Sequence, residues 1–496
     1  MKQTGYRQLK KMRLHFMGIG GSGLSAVAQM ALQAGATVSG CDQASSATTE
    51  MLSKLGIPIE IGHSPEHLAA ADALIYVPAA VAFNPNNPEL LAAREKGLPV
   101  MTWQEMLGQW LDGYCLLSVS GVHGKGTTTA MLALALVDAG LDPTCEIGAV
   151  VPRFGANYRI GQSSYFVNEA DEFNNNFWNY HPRLAIVTSV EFEHPEFFAD
   201  YGEYLASFEH FVRGMDLSGD WPFPPTLILN AGSPGCLELR ERIKDWPGRI
   251  LTYAVEEDQP IEADFVAHEL RLDGKTSFSV QTKQFTSGLE GRRISLKLPG
   301  AHNVENALAA LIAATCAGVA PETAIAAVEG FGGTRRRFEM RNEEPLTLAG
   351  KTRDVLLVDD YAHHPTAIAR TLNAARRRYP GRRLVAVYQP HMYSRTKTFF
   401  EQFLTAFDEA DAVVIVDIYP GREHDTGLVH ARELVAAMRE QPSFTQSGVP
   451  VVHGGSVAET ATWLREHLRD GDLALIMGAG DIYRATEELL SETTRN

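Results

Sequence analysis

Leu116–Leu132 reads LLSVSGVHGKGTTTAML, and the fold turns on it. An apolar run enters, a loop broken by Gly121, Gly124 and Gly126 interrupts it, and a helix-forming Ala/Leu/Met stretch leaves. The order predicted is strand, loop, helix. In that order the backbone N–H groups around Gly121 and Gly124 turn inward to wrap a phosphate, the positive end of the helix faces the same point, and Lys125 adds a full charge. The long phosphate-loop pattern GxxxxGK[ST] is not met, because Val119 stands where its first glycine belongs. The shorter GxxGK is met by Gly121, Gly124 and Lys125, with Thr127, Thr128 and Thr129 close behind as hydroxyl donors. A solvated glycine turn ahead of an ordinary helix is the bland alternative, and the rest of the chain weighs against it.

At 496 residues the chain exceeds one hydrophobic core, and about 150 residues per domain suggests three. A net charge of -16 argues against broad binding to nucleic acid or anionic membranes, so an anionic small molecule must be held by local donors. Five cysteines (Cys41, Cys115, Cys145, Cys236, Cys316) lack CxxC or metal-type spacing, which predicts reduced thiols and no disulfides. The basic N-terminal stretch runs into a glycine turn, and no apolar run reaches the length of a membrane span. A soluble cytoplasmic protein without membrane insertion is expected, and no feature sets an oligomeric state.

Outward from the loop toward the N-terminus, RLHFMGIGGSG (13–23) is a strand running into Gly18-x-Gly20-x-x-Gly23, with a helical pattern over 24–32. The next strand ends at Asp42, about twenty residues on, where a carboxylate can accept from a ribose hydroxyl. NAD or FAD is the default ligand of such an opening, and a nucleotide-sugar pyrophosphate uses the same physics. Strand and helix signals alternate (57–61, 73–77, a helix from Glu89, a helix over 104–111), and a first domain is predicted to close at 112.

Toward the C-terminus the phosphate loop opens a second domain, 113–332. A strand ends in Glu169, Asp171 and Glu172, and another (184–190) ends in Glu191, Glu193 and His194, which is where a parallel sheet places metal ligands beside a bound triphosphate. Alternation over 263–298 predicts antiparallel strands at a sheet edge, and 218–225 (SGDWPFPP) reads as a surface connector. A helix over 307–314 follows LPGAHNVEN, with His302 and Asn306 one turn apart on one face. GGTRRRF (332–338) reads as a hinge whose arginines can reach a nucleotide across a cleft. The third domain, 333–496, resumes α/β alternation, with polar or glycine-rich strand ends at DDYAHHPT (359–366), QPHMYSRT (389–396), Asp417–Glu423 and GAGDI (478–482).

HFMGIGGSGLS, GVHGKGTTTAM, EADE, LPGAHNVENALAA, GTRRRF, DDYAHHPT, YQPHMYSRT and GAGDI together resemble the Mur ligase family of peptidoglycan synthesis, and the resemblance runs through all three segments. It implies an α/β protein with a Rossmann-like N-terminal domain, a central P-loop-type ATPase domain with a mostly parallel sheet, and a C-terminal Rossmann-like α/β domain. It implies an ATP- and Mg2+-dependent ligase in which the lactyl carboxylate of UDP-N-acetylmuramate is phosphorylated and then attacked by the amine of L-alanine. By the same resemblance Gly121, Val122, His123, Gly124, Lys125, Gly126, Thr127, Thr128, His302, Asn306 and Arg337 contact ATP, and Thr127, Glu169 and His194 hold metal. Gly20, Gly21, Ser22, Gly23, Asp42, His391 and Arg395 address the UDP-sugar and substrate side, and Lys125, His194 and Arg337 carry the chemistry.

Several positions depart from the family pattern. Gly126 replaces the hydroxyl residue after the lysine, Glu193 an aspartate before the histidine, Phe173-Asn174 a Ser-Asp pair, and Pro78 interrupts a Ser-Ala segment. Two further readings follow: a ligase that adds a recycled murein tripeptide to the same UDP-sugar, and a catalytically impaired homologue that only binds nucleotide or UDP-sugar.

Overall fold

The computed structural model describes residues 9–218, 220–257, 259–283, 288–421 and 423–493. Three main sheets follow one another along the chain. The first contains β1 (Arg13–Met17), β2 (Thr37–Asp42), β3 (Ile59–Ile61), β4 (Ala73–Tyr76) and β5 (Val100–Thr102), all parallel in the order β3-β2-β1-β4-β5. Strand order reverses beside β1, so the glycine loop that follows it opens at the crevice where such sheets bind ligands. That loop leads into α1 (Ser22–Gln33), whose Leu24, Val27, Met30 and Ala31 are buried. Pro58 lacks an N–H for the ladder, and β3 accordingly begins only at Ile59, on the sheet edge. β4 ends one residue short of the predicted Val77. Pro78, at the first helical position, starts a short helix (Pro78–Phe83) that periodicity does not announce.

The second sheet has ten strands: β6 (Cys115–Ser120), β7 (Thr144–Val151), β8 (Ala156–Arg159), β9 (Tyr165–Glu169), β10 (Leu184–Val187), β11 (Thr226–Asn230), β12 (Arg249–Val255), β13 (Phe265–Arg271), β14 (Thr276–Thr282) and β15 (Arg293–Leu296). Their order is β15-β14-β13-β12-β11-β10-β6-β9-β7-β8. The phosphate-loop strand β6 is central, parallel to β9 on one side and β10 on the other, so both acid-bearing strand ends flank the loop. The alternating segment forms the antiparallel β13-β14-β15 edge as expected. At the opposite edge β7 and β8 pair antiparallel, an addition the sequence did not announce. After β6 comes α2 (Lys125–Asp138), buried from Gly126 to Leu136 and packed beneath α3 (Ala301–Cys316) and the helix Pro321–Gly330. Apolar residues on every side of α2 suit a helix enclosed by sheet and helices. In the connector 218–225, Phe223 is buried and anchors what reads as a surface loop.

The third sheet contains β16 (Glu339–Met340), β19 (Leu356–Asp360), β20 (Arg383–Tyr388), β21 (Ala412–Val416), β22 (Val451–Gly455) and β23 (Asp472–Met477), in the order β16-β19-β23-β20-β21-β22. Only β16 runs antiparallel. A separate hairpin joins β17 (Leu346–Leu348) and β18 (Lys351–Arg353), and α4 (Pro365–Arg378) follows β19. All five cysteines are free, as expected. Among the described residues no helix is long and apolar enough to cross a membrane. The basic stretch up to Gln8 lies outside the described residues.

Candidate active site

A cavity of about 660 Å3 opens where the three sheets meet. The phosphate loop forms its floor. Gly121 (φ +119°) and Gly124 (φ +77°) both adopt left-handed backbone, which a side chain disfavours, and a Cβ on Gly124 would collide with the Asn306 amide. Lys125 is the first residue of α2, and its Nζ donates to Glu172 Oε2 at 2.8 Å, with Asp171 Oδ1 at 3.8 Å. Burial favours the neutral amine there, but Glu172, Asp171 and Glu169 outweigh it and hold the ammonium charged. Thr128 Oγ1 donates to Asn306 Oδ1 at 3.2 Å, which ties the loop to α3. Thr127 lines the cavity with Val122, His123 and Gly126.

Carboxylates gather above the loop. Glu169, at the end of β9, accepts the Gly148 N–H at 2.8 Å; burial pushes its carboxyl up against the pull of Lys125 and Arg337. Glu146, from β7, has a buried Oε2 without a hydrogen-bond partner, and burial together with Glu169 and Asp171 pushes it well up. Asp171, Glu172 and His194 bring one donor atom each within 4.8 Å of one another. His194 sits at φ +58°, a conformation rare for a residue with a side chain, its Nε2 3.8 Å from Glu172 and its Nδ1 3.2 Å from Glu196. Phe173 packs its ring on His194, centroids 4.9 Å apart, so the departure from Ser-Asp lies directly against the site. Crowded carboxylates, two of which (Glu146 and Glu169) burial makes reluctant to ionise, and an orphaned oxygen suit a hard divalent cation, which favours oxygen ligands.

The third domain closes the cavity from the far side. Arg395 Nε donates to Glu193 Oε1 at 2.8 Å, with both side chains buried. Burial alone would raise the Glu193 carboxyl, but Arg395, His194 and His364 hold it well below the usual carboxylate range. The longer reach of glutamate at this departed position therefore ends in a cross-domain ion pair. His391 Nδ1 lies 2.9 Å from Arg395 Nη1. Arg337 lies over the Tyr361 ring at 4.7 Å, while its neighbour Arg336 donates to the carbonyls of Gly478 and Gly480. His302 and Asn306 face the cavity from α3, and burial with nearby Arg370 lowers His302 to about 3, so its ring is neutral. Of the third-domain segment Asp417–Glu423, Arg422 lies outside the described residues.

From the first domain, only Gly23 and Trp103 line the cavity among the described residues. A Cβ on Gly23 would meet the Trp103 ring at 2.6 Å. Asp42 braces its own loop, accepting the Gly20 N–H at 2.8 Å and the Gln43 N–H at 2.7 Å. Gly21 is the N-cap of α1 and Ser22 its first residue; the Ser22 side chain lies outside the described ones.

Sequence models of the Mur ligase family match in three consecutive parts. The family catalytic domain matches residues 13–114, the middle domain 119–314 and the glutamate ligase domain 336–480. The chain belongs to the Mur ligase family. Among curated relatives of this Mur ligase, the UDP-N-acetylmuramate–L-alanine ligase of Agathobacter rectalis is 35% identical over 484 residues, 97% of this chain and 98% of the relative. That of Desulfosudis oleivorans is 36% identical over 98% of this chain and 100% of its own. Among solved structures, the UDP-N-acetylmuramate–alanine ligase of Thermotoga maritima superposes with a TM-score of 0.78 at 26% identity, covering 98% of this chain and 99% of its own. A murein peptide ligase from Psychrobacter arcticus reaches 0.70 at 26% identity, with the same coverages. This is the three-domain α/β Mur ligase fold.

Two parts of this Mur ligase site were not assigned from sequence. Glu172, which holds Lys125, stands in the quoted EADE stretch, but strand alternation does not tell which of three neighbouring carboxylates turns toward the lysine. The second is a cross-domain contact, Glu191 Oε2 accepting from Thr366 Oγ1 at 3.0 Å beside His123 and His364; it depends on how two domains meet, which no local pattern encodes.

Proposed function

We propose that this Mur ligase joins L-alanine to the lactyl carboxylate of UDP-N-acetylmuramate at the expense of ATP, in peptidoglycan synthesis. The observation that carries the reading is the convergence on one cavity of the Lys125 loop, the acids Glu169, Asp171 and Glu172 with His194, and the third-domain groups Arg337, His391 and Arg395. We assign the UDP-sugar to residues 1–112 through Gly20, Gly21, Ser22, Gly23 and Asp42, and ATP to 113–332. The substrate-facing His391 and Arg395 belong to 333–496.

In this reading the Lys125 loop receives the ATP phosphates, and Lys125 exchanges Glu172 for phosphate oxygens. His302 and Asn306 face the base, and Arg337 reaches the phosphates from across the cleft. The lactyl carboxylate oxygen attacks the terminal phosphorus and ADP leaves, giving an acyl phosphate. The amine nitrogen then attacks the acyl carbon, the amide bond forms, inorganic phosphate departs and the amine loses its proton. Such transfer depends on positioning and on neutralising charge as it develops. Thr127, Glu169 and His194 would hold Mg2+, which supplies charge neutralisation at the phosphoryl oxygens. Five free cysteines accord with a reducing cytoplasm.

The likeness to a murein peptide ligase, with Phe173 against His194, keeps a tripeptide acceptor as the second reading. Phosphate release from ATP is the test, with UDP-N-acetylmuramate, Mg2+ and, in parallel, L-alanine, glycine, L-serine or a muramyl tripeptide. Release that requires both the UDP-sugar and L-alanine is expected. Preference for the tripeptide selects the second reading, and silence with every amine overturns both.

A further inference from the structure

Away from the cleft, the first domain buries a cluster that the ligation does not use. β1 and β2 pair His15 with Ser39 and Met17 with Cys41, and residues two apart along a strand share a face, so His15 and Cys41 look the same way. Glu89, from the helix Pro88–Glu95, enters that space fully buried. Its Oε2 accepts the Cys41 Sγ–H at 3.1 Å, and its Oε1 lies 2.7 Å from His67 Nδ1. Ser39 Oγ engages His15 Nδ1 at 2.9 Å. That leaves His15 Nε2 aimed at Glu89 Oε2, 3.5 Å away and without a hydrogen-bond partner, in a residue only 1% exposed. His63 Nδ1 waits at the rim, 3.4 Å from the sulfur.

A buried imidazole nitrogen whose one polar neighbour is a carboxylate 3.5 Å away has room for a bound group between the two. Donor atoms of His15, Cys41, His67 and Glu89 all lie within 4.8 Å of one another. A tetrahedral ion with bonds of about 2.0–2.3 Å sets its donors about 3.3–3.8 Å apart, so the widest pairs close by about an ångström and the Cys41 sulfur and Glu89 Oε2 part slightly from 3.1 Å. Two imidazoles, a thiolate and a carboxylate are a zinc-type set, whereas Mg2+ takes oxygen and retains water. Ser39 on the far nitrogen of His15 provides the orienting second contact usual for metal-bound imidazoles.

We infer that the first domain holds a structural Zn2+ on His15 Nε2, Cys41 Sγ, His67 Nδ1 and the Glu89 carboxylate. Four protein ligands close the coordination shell, and the thiol proton passes to solvent as the ion binds. None of the four lines the catalytic cavity. The ion pins the end of β2, where the Cys41 carbonyl accepts the N–H groups of Gly18 and Ile19 and Asp42 accepts that of Gly20. It thus stiffens the base of the glycine loop.

The test uses the full-length chain, stripped by chelator and titrated with Co2+ and then Zn2+ in excess Mg2+. Expected are one tightly bound Co2+ per chain with tetrahedral d–d bands and a thiolate charge-transfer band, displaced by Zn2+. Cys41→Ser should abolish the charge-transfer band, and His67→Gln should weaken binding by at least about tenfold. His194→Ala, in the catalytic cavity, should leave these bands intact. No thiolate band in the unmodified chain, or bands lost in His194→Ala and kept in Cys41→Ser, overturns the site. Should Cys41→Ser fail to fold, zinc-edge absorption on the unmodified chain decides, since the inference requires one sulfur among nitrogen and oxygen ligands and a shell without sulfur refutes it.

Discussion

Lys125 is buried against Glu172 at 2.8 Å, so replacing it removes the phosphate ligand proposed above and also strands a carboxylate. Lys125→Ala should lower turnover by about a thousandfold, as loss of a transition-state charge partner does, while UDP-sugar affinity measured by calorimetry stays within about threefold. Breaking a buried pair from one side costs about 3–5 kcal/mol, so urea unfolding should report a clear loss that Lys125→Ala with Glu172→Gln largely restores, without restoring turnover. Recovery of turnover in the double variant would show that the lysine is not the phosphate ligand. At Gly126 an added Cβ would stand 3.0 Å from Glu169 Oε2, leaving little room for the family's hydroxyl residue. Gly126→Thr should therefore not raise turnover, and a gain of about tenfold would mean that a hydroxyl is wanting. At this scale the strand, glycine loop and helix around Lys125 were legible because that geometry follows from glycine spacing alone. The role of Asp42 was less so, since a carboxylate at a strand end serves a ribose or its own loop equally well, and here it accepts from Gly20.

Elements with strong periodicity were readable, and those shaped by the site were not. α3 begins at Ala301, well before the Ala/Leu run that announced it, because His302, Asn303 and Asn306 turn their polar side toward the cavity. β7 and β8 were hidden by Gly148, Pro152 and Gly155, which break the strand signal although the segment completes the sheet edge. Gly148 has a packing reason, since a Cβ there would lie 2.5 Å from Glu169 Oε2. The joint between β6 and α2 is the sharpest case. Gly124 caps α2 at φ +77° with the Asn306 amide against its Cα. Gly124→Ala would carry the left-handed cost of about 1–2 kcal/mol and push α3 away from the loop. Turnover should fall by more than about a hundredfold with the Michaelis constant for ATP raised, read from initial rates; wild-type kinetics would show that the cradle tolerates displacement.

At the level of the whole molecule, the first two domains share one apolar cluster, in which Leu14, Phe16 and Trp110 join Leu116, Phe166, Phe177 and Tyr180. The third domain has cores of its own, and beside Phe192, which packs against one of them, its contacts with the second include polar pairs: Glu193 with Arg395, Glu191 with Thr366, Glu305 with Arg370. Polar interfaces yield before shared cores do, so the joint to the third domain is the one expected to open first. Burial raises Glu191, but His123, His364 and Thr366 together lower it to about 2. A carboxyl lowered on folding contributes stability above its unfolded value near 4.5, and that contribution vanishes as pH falls toward 2. The stability difference between the chain and Glu191→Gln, from urea unfolding, should accordingly shrink as pH falls below about 5. Arg395 gives the stronger test. Arg395→Met leaves Glu193 buried without its partner, at a cost of about 3–5 kcal/mol that is most easily relieved by opening the cleft and hydrating the carboxylate. Small-angle scattering should show a larger radius of gyration than the parent, with kcat lowered, and Glu193→Gln in the same chain should return the compact form without returning activity. An unchanged radius for Arg395→Met would mean that the remaining contacts suffice to hold the domain, and that Arg395 serves substrate alone.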